Sequence, residues 1–171
     1  MQIPVKKKLL IITGLPCSGK STLSRYISQK TNVPCFDMDL FKFPIHGKNK
    51  KHVESMYYGN FVSLLREINK TNVDFFIMEN TLFIHDFVVD ILNNANKNLG
   101  DLYEVFIFEI KLSLIDWDKR LDKVKRTFKV SNEDFYKNFI SYKRDNSTLT
   151  LDGMRVLKVN AFNILEKIGG K

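Results

Sequence analysis

Short apolar runs alternating with amphipathic stretches set the rhythm of this chain. Leu9-Leu10-Ile11-Ile12 carries no polar residue, as expected of a strand buried on both faces. Ser21 to Lys30 then takes helical spacing, with Leu23 and Ile27 on one face. A second strand opens Pro34–Lys42, and Tyr57, Phe61, Leu64, Leu65 and Ile68 form the stripe of the next helix. Val73 to Thr81 holds the run Phe75–Met78 and predicts a central parallel strand. Leu82 to about Asn98 predicts a helix that buries Ile84, Phe87, Val88, Ile91 and Leu92, with Gly100 as its stop. Leu102 to Ile110 predicts a fourth strand and Arg155 to Asn160 a fifth. Ala161 to Ile168 predicts a closing helix, ended by Gly169-Gly170. The 171 residues hold no repeat, low-complexity tract or linker, so residues 1–171 are read as one domain.

The join between the first strand and its helix carries the chemistry. Gly14-Leu15-Pro16-Cys17-Ser18-Gly19-Lys20-Ser21 fits G-x-x-x-x-G-K-[ST], in the strand–loop–helix context that this motif requires. Gly14 and Gly19 allow positive φ and close approach of backbone to a ligand. Successive N–H groups then line one concavity, and the helix N-terminus adds its positive end. The expected cradle comprises Gly14, Pro16, Cys17, Ser18, Gly19, Lys20, Ser21 and Thr22. Its ligands are ATP, with Lys20 on the β- and γ-phosphates, and Mg²⁺, with the Ser21 hydroxyl as a ligand. Cys17 is read as a small residue that fits the turn.

Composition narrows the setting. Lys and Arg total 27 against 19 Asp and Glu, a net charge of +8. That excess suits a polyanion such as nucleic acid, but it is mostly lysine, and abundant Asn, Ile, Phe and Lys with scarce Ala also suit an AT-rich genome. Cys17 and Cys35 form no C-x-x-C pair, and no apolar run approaches a membrane span. Lys6-Lys7-Lys8 before an apolar stretch imitates a secretory leader, but Gly14 and Pro16 interrupt it. A cytoplasmic protein without membrane contact or obligate protein partner is expected. His46, His52 and His85 show no metal-ligand spacing.

Asn96-Lys97-Asn98-Leu99 lacks the last acid of a guanine signature, which argues against a small GTPase. A small kinase fits the length. Asp37 and Asp39 stand two apart at the end of the second strand and so share one face, where α/β sheets open on their ligands. Asp39 is the candidate to accept the acceptor's hydroxyl proton. Asp37 either helps to organise Mg²⁺ and substrate or caps the loop. Lys119, Arg120, Lys123, Lys125 and Arg126 form the densest basic cluster, where small kinases carry a lid; its range is taken as about 111–145. Arg126 and Arg120 are the candidate contacts to the transferring phosphoryl group, with a solvated charged helix as the competing reading. Phe41 to His52 mixes aromatic and basic residues, suited to stacking bases or to packing on the following helix.

The loop Gly-x-Pro-x-Ser-Gly-Lys-Ser-Thr followed by Phe36-Asp37-Met38-Asp39 resembles a group of P-loop kinases. The group includes bacteriophage polynucleotide 5′-hydroxyl kinases, chloramphenicol phosphotransferase, shikimate and gluconate kinases and zeta-toxin-type kinases. Glu109, Leu112, Arg120, Arg126, Val130 and the helix with Phe135, Tyr136 and Phe139 resemble the lid of the bacteriophage enzymes. The resemblance implies Asp39 as general base and Glu79 as a Mg²⁺ or substrate contact, in place of the group's usual Asp. It also implies Lys42 near the acceptor's phosphate, where the bacteriophage enzymes have Arg, and Asn160-Ala161 as part of a loop around adenine. The expected fold is a three-layer α/β P-loop NTPase fold, a five-stranded parallel sheet with helices on both faces and a helical lid. The expected reaction is transfer of the ATP γ-phosphoryl group to a hydroxyl. A DNA or RNA 5′ end is the first acceptor, a small molecule (nucleoside, nucleotide, antibiotic or sugar) the alternative, and a nucleotide-binding regulator without transfer activity a third reading.

Overall fold

In the computed structural model the described residues are 6–38, 50–81, 94–125, 130–141 and 148–169. Five strands, β1 (Lys7–Gly14), β2 (Cys35–Asp37), β3 (Phe75–Thr81), β4 (Tyr103–Lys111) and β5 (Leu149–Asp152), alternate with helices. The helices are α1 (Lys20–Thr31), α2 (Lys50–Asn69), α3 (Leu114–Val124), α4 (Asn132–Ser141) and α5 (Leu157–Lys167), and residues 94–98 are also helical. The sheet order is β2-β3-β1-β4-β5 with every pairing parallel, so each strand must be reached by a crossover. β1 lies at the centre, hydrogen-bonded to β3 on one side and to β4 on the other.

Strand alternation distributes the apolar run of β1 between two layers. Leu9 and Ile11 pack with Phe61, Leu65 and Ile68 of α2, together with Phe76 and Met78 of β3. Leu10 and Ile12 face the opposite way, into Leu23 and Ile27 of α1 and Ala161 and Ile164 of α5. The result is the three-layer α/β fold expected from the sequence. A third cluster lies outside these layers: Leu15 of the loop after β1 packs with Leu112, Trp117, Leu121 and Phe139.

Two adjacent lysines at the start of β1 use the same alternation. Lys7 Nζ donates to the carbonyl of Ile68 at 3.0 Å and also to that of Thr71, at the end of α2. Lys8 Nζ donates to the carbonyl of Ile168 at 2.6 Å, at the end of α5. Each ammonium binds carbonyls at a helix C-terminus and meets the negative end of its dipole.

The fifth strand departs from expectation. It is Leu149–Asp152, and the segment Arg155–Asn160 instead forms a turn and the first turn of α5. The β-branched Val156 and Val159 suggested a strand, yet they are 67% and 43% exposed. Leu157, Asn160, Ala161 and Ile164 follow helical spacing, and Asn160, Ala161 and Ile164 are the helix's buried residues. Burial at helical period prevails over β propensity. β3 begins at Phe75, two residues later than expected. Of the helix expected at 82–98, residues 82–93 lie outside the described residues. Its end agrees: Gly100 adopts φ 78°, and its N–H donates to the carbonyl of Lys97 at 3.0 Å. No helix among the described residues is long and apolar enough to cross a membrane.

Candidate active site

The loop from Gly14 to Gly19 leaves the C-terminal end of the central strand and enters α1. Gly14 has φ 151°, and a Cβ there would stand 2.8 Å from both the carbonyl oxygen of Ile110 and Ser18 Oγ. Any side chain would therefore push the loop off β4. Gly19 has φ 101° at the N-cap of α1, which receives no side-chain cap, so the first N–H groups of the helix remain for another acceptor. Cys17 also takes a positive φ, 61°. Successive N–H groups in such conformations form an anion-binding concavity.

Lys20 is buried at the start of α1, its ammonium 3.0 Å from the carbonyl of Leu15 in the same loop. Ser21 and Thr22 follow in the first turn, and the Ser21 hydroxyl lies beside the Glu79 carboxyl, where it favours the charged form. Glu79 lies on β3, in register with Ile12 of β1 on one side and Asp37 of β2 on the other. It is 6% exposed. Burial raises its carboxyl above the ordinary value and the Asp37 charge adds to this, while the Ser21 hydroxyl, Lys20 and Arg25 oppose the shift.

Buried polar atoms without hydrogen-bond partners gather here. Among the described residues they include Thr13 Oγ1, Ser18 Oγ, Asn80 Oδ1 and Glu79 Oε2. Thr13 and Asn80 are in register across β1 and β3, one residue beyond Ile12 and Glu79. Orphaned buried groups are costly, and their concentration at the strand ends beside the phosphate loop suits a polar ligand. The loop opens into a cleft of about 370 Å³ lined by Cys17, Gly19, Lys20, Ser21, Thr22, Arg120, Lys123 and Val124.

α3 starts at an N-cap made by Ser113, whose side chain accepts from the N–H of Asp116 at 3.1 Å. Its buried face carries Trp117 and Leu121. Trp117 Nε1 donates to the carbonyl of Pro16 at 2.7 Å. Arg120 Nη1 donates to the carbonyl of Ser18 at 2.7 Å, and Nη2 to that of Gly153 at 2.7 Å. Arg120, expected at the transferring phosphoryl group, is thus engaged with loop carbonyls at the rim of the cleft. Trp117 was not singled out from the sequence. Its partner is 101 residues away, and the only local signal is a lone tryptophan three positions before an arginine on an amphipathic helix.

The structure brings together the whole phosphate loop, Asp37, Glu79 and Arg120. Asp39, Lys42 and Arg126 lie outside the described residues, as does most of the aromatic and basic segment 41–52. The adenine loop expected at Asn160-Ala161 is corrected: both residues are buried within α5. Asn160 Nδ2 donates to the carbonyl of Asp152 at 2.8 Å, and Ala161 is part of the main core. The turn lies earlier, at residues 153–156, where Gly153 N–H donates to the carbonyl of Lys111 at 2.8 Å. A second cleft of about 490 Å³ adjoins this turn, lined in part by Lys111, Asp152, Arg155 and Asn160.

Solved structures share this architecture over nearly the entire chain. A tunicamycin resistance protein from Deinococcus radiodurans superposes with a TM-score of 0.68 at 11% identity, covering 96% of this chain and 98% of the other. A sugar kinase from Janibacter sp. gives 0.66 at 13% identity, covering 95% of both. Shikimate kinase from Aquifex aeolicus gives 0.51 at 15% identity, covering 94% of this chain and 96% of the other. The chain therefore shares the α/β fold of these structures. No family model and no curated protein matches it.

Proposed function

We propose that this protein is an ATP-dependent phosphotransferase that moves the γ-phosphoryl group to a hydroxyl of a small molecule. The observation that carries this reading is the pairing of the glycine-shaped loop and buried Lys20 with the Ser21–Glu79 contact at the end of the neighbouring strand. The loop amides and Lys20 suit the triphosphate. The Ser21 hydroxyl and Glu79, with its orphaned Oε2, suit a divalent cation, directly or through water. Mg²⁺ bound there would offset phosphate charge and help to align the donor. Asp39, two residues beyond the end of β2, is the proposed proton acceptor for the hydroxyl. Asp37 and Lys42 are proposed at the acceptor and Arg126 at the phosphates, while Arg120 acts on the loop that holds them.

The small-molecule acceptor takes precedence over the polynucleotide 5′ end because the fold is shared, along nearly its full length, with structures described as a sugar kinase and a shikimate kinase. The net charge of +8 favours the polynucleotide as a second reading. A transfer assay with γ-labelled ATP and Mg²⁺ separates them, offering sugars, nucleosides and other small alcohols beside 5′-hydroxyl DNA and RNA. Label is expected on a member of the small-alcohol panel. Lys20→Ala and Asp39→Asn are each expected to lower turnover at least about a hundredfold without unfolding the chain. Label on oligonucleotide ends would establish the second reading, and full activity of Asp39→Asn would remove that residue from the mechanism.

A further inference from the structure

The loop that would hold the phosphates is braced from outside as well as by its own hydrogen bonds to the Leu15 carbonyl. Two of its carbonyls, those of Pro16 and Ser18, accept hydrogen bonds at 2.7 Å from side chains of one helix, α3, which lies a hundred residues further along the chain. The donors, Trp117 and Arg120, are three residues apart and so share one helical face. In a planar trans peptide the C=O and the following N–H point in opposite directions. A donor that fixes the Pro16 carbonyl therefore fixes the N–H of Cys17 on the other side of the same plane. A donor that fixes the Ser18 carbonyl does the same for the N–H of Gly19. Cys17 and Gly19 are the two residues of the loop between its outer glycine and Lys20 that the structure records with positive φ after Gly14. Among the described residues neither N–H is taken by a backbone carbonyl outside regular helices and strands.

We infer that α3 is the template of the phosphate cradle, with Trp117 a positioning residue that turns the Cys17 N–H toward the nucleotide's phosphates and Arg120 doing the same for the Gly19 N–H. The helix is itself well fixed. Trp117 is fully buried, stacks on Phe135 at 5.5 Å between ring centroids and lies 6.0 Å from Tyr136. The Tyr136 hydroxyl donates to the carbonyl of Leu112 at 2.8 Å, and Asn132 Nδ2 donates to Asp118 at 2.9 Å, joining α4 to α3. Leu15 of the loop is buried in the same cluster, so apolar packing sets the distance and the N–H donors set the orientation. The base of the expected lid is on this view part of the floor of the site, and Arg120 also ties it to Gly153 of the turn after β5. The inference rests on the reading of the loop as a triphosphate site.

Trp117 is the only tryptophan in the chain, which permits a clean test. A tryptophan auxotroph supplied with β-(3-benzothienyl)alanine replaces the indole N–H by sulfur at this position alone and retains the ring system. Trp117→Phe is a second variant that also lacks the donor. Dissociation constants are measured for ATP and for inorganic tripolyphosphate, which carries the phosphates without the base. Both constants are expected to rise by a common factor of about ten, the scale of one lost hydrogen bond to a buried group. Affinities unchanged for both ligands, in a variant that retains the wild-type unfolding midpoint, would overturn the inference. A lowered midpoint with unchanged affinities would also overturn it, by reducing Trp117 to a packing residue. Wild-type protein that binds neither ATP nor tripolyphosphate would instead refute the functional reading beneath it.

Discussion

At Cys35 burial and charge act on one atom in the same direction. Desolvation pushes its thiol up to about 11, and the neighbouring Glu79 charge adds to that. At pH 8 only about a thousandth of such a thiol is thiolate, the form that reacts. Cys17 lines the cleft above the phosphate loop. Iodoacetamide at pH 8 is therefore expected to alkylate Cys17 while Cys35 stays intact, and ATP is expected to slow the reaction at Cys17. Peptide mass spectrometry with and without nucleotide reads both outcomes, and rapid alkylation of Cys35 would refute the account of a thiol held protonated by desolvation and charge. At this scale the sequence is most legible where chemistry is contiguous. Gly14, Gly19, Lys20 and Ser21 declare themselves by spacing because a single loop must present them together. Trp117 does not, because its role depends on a carbonyl that only the folded chain brings to it.

Among elements, β1 stands at the centre, paired with β3 on one side and β4 on the other. Its side chains feed both core layers, and its first two residues brace a helix end in each. Lys7→Met and Lys8→Met retain the stem and remove the ammonium. Each is expected to cost about 1–2 kcal/mol, from a lost charge-assisted hydrogen bond and the loss of a cation at a helix C-terminus. Chemical unfolding measures this as a lower midpoint with an unchanged slope. A midpoint equal to wild type would mean that water replaces the ammonium without penalty. The elements also show where periodicity misleads. The buried run Leu9–Ile12 reads as a strand because it is short and Gly14 and Pro16 close it. Residues 148–160 admit two readings, since Leu149, Leu151, Val156, Leu157 and Val159 offer two candidate strands. Gly153 separates them: a Cβ there would lie 2.7 Å from the Lys111 carbonyl and from Leu112 Cδ2, so the chain turns tightly at that point, right after β5.

For the whole molecule, the positive charge is the least local property and the least informative about the acceptor. Several of its lysines already have structural partners: Lys7 and Lys8 at helix ends, Lys20 in the loop, and Lys137 2.6 Å from Glu133 on α4. A single-stranded oligonucleotide is expected to bind weakly and without phosphorylation. The logarithm of its affinity should fall with the logarithm of salt by about 0.7 per phosphate neutralised. Fluorescence anisotropy across a salt series, with phosphorylation followed in parallel, tests this; affinity insensitive to salt would point to base recognition and revive the polynucleotide reading. The architecture was open to sequence reading because alternating strands and helices admit few parallel arrangements. The proposed acceptor was not, since one fold hosts many functions and the residues proposed nearest it, Asp39 and Lys42, lie outside the described residues.

The two outer strands are the shortest of the sheet, three residues in β2 and four in β5, flanking β3, β1 and β4 of seven to nine. Unpaired N–H and C=O groups along a sheet margin invite another chain to add a strand, and a brief margin offers little to add to. The long Ile- and Phe-rich strands that would aggregate most readily are thereby kept in the interior of the sheet, out of reach of neighbouring molecules in a crowded solution.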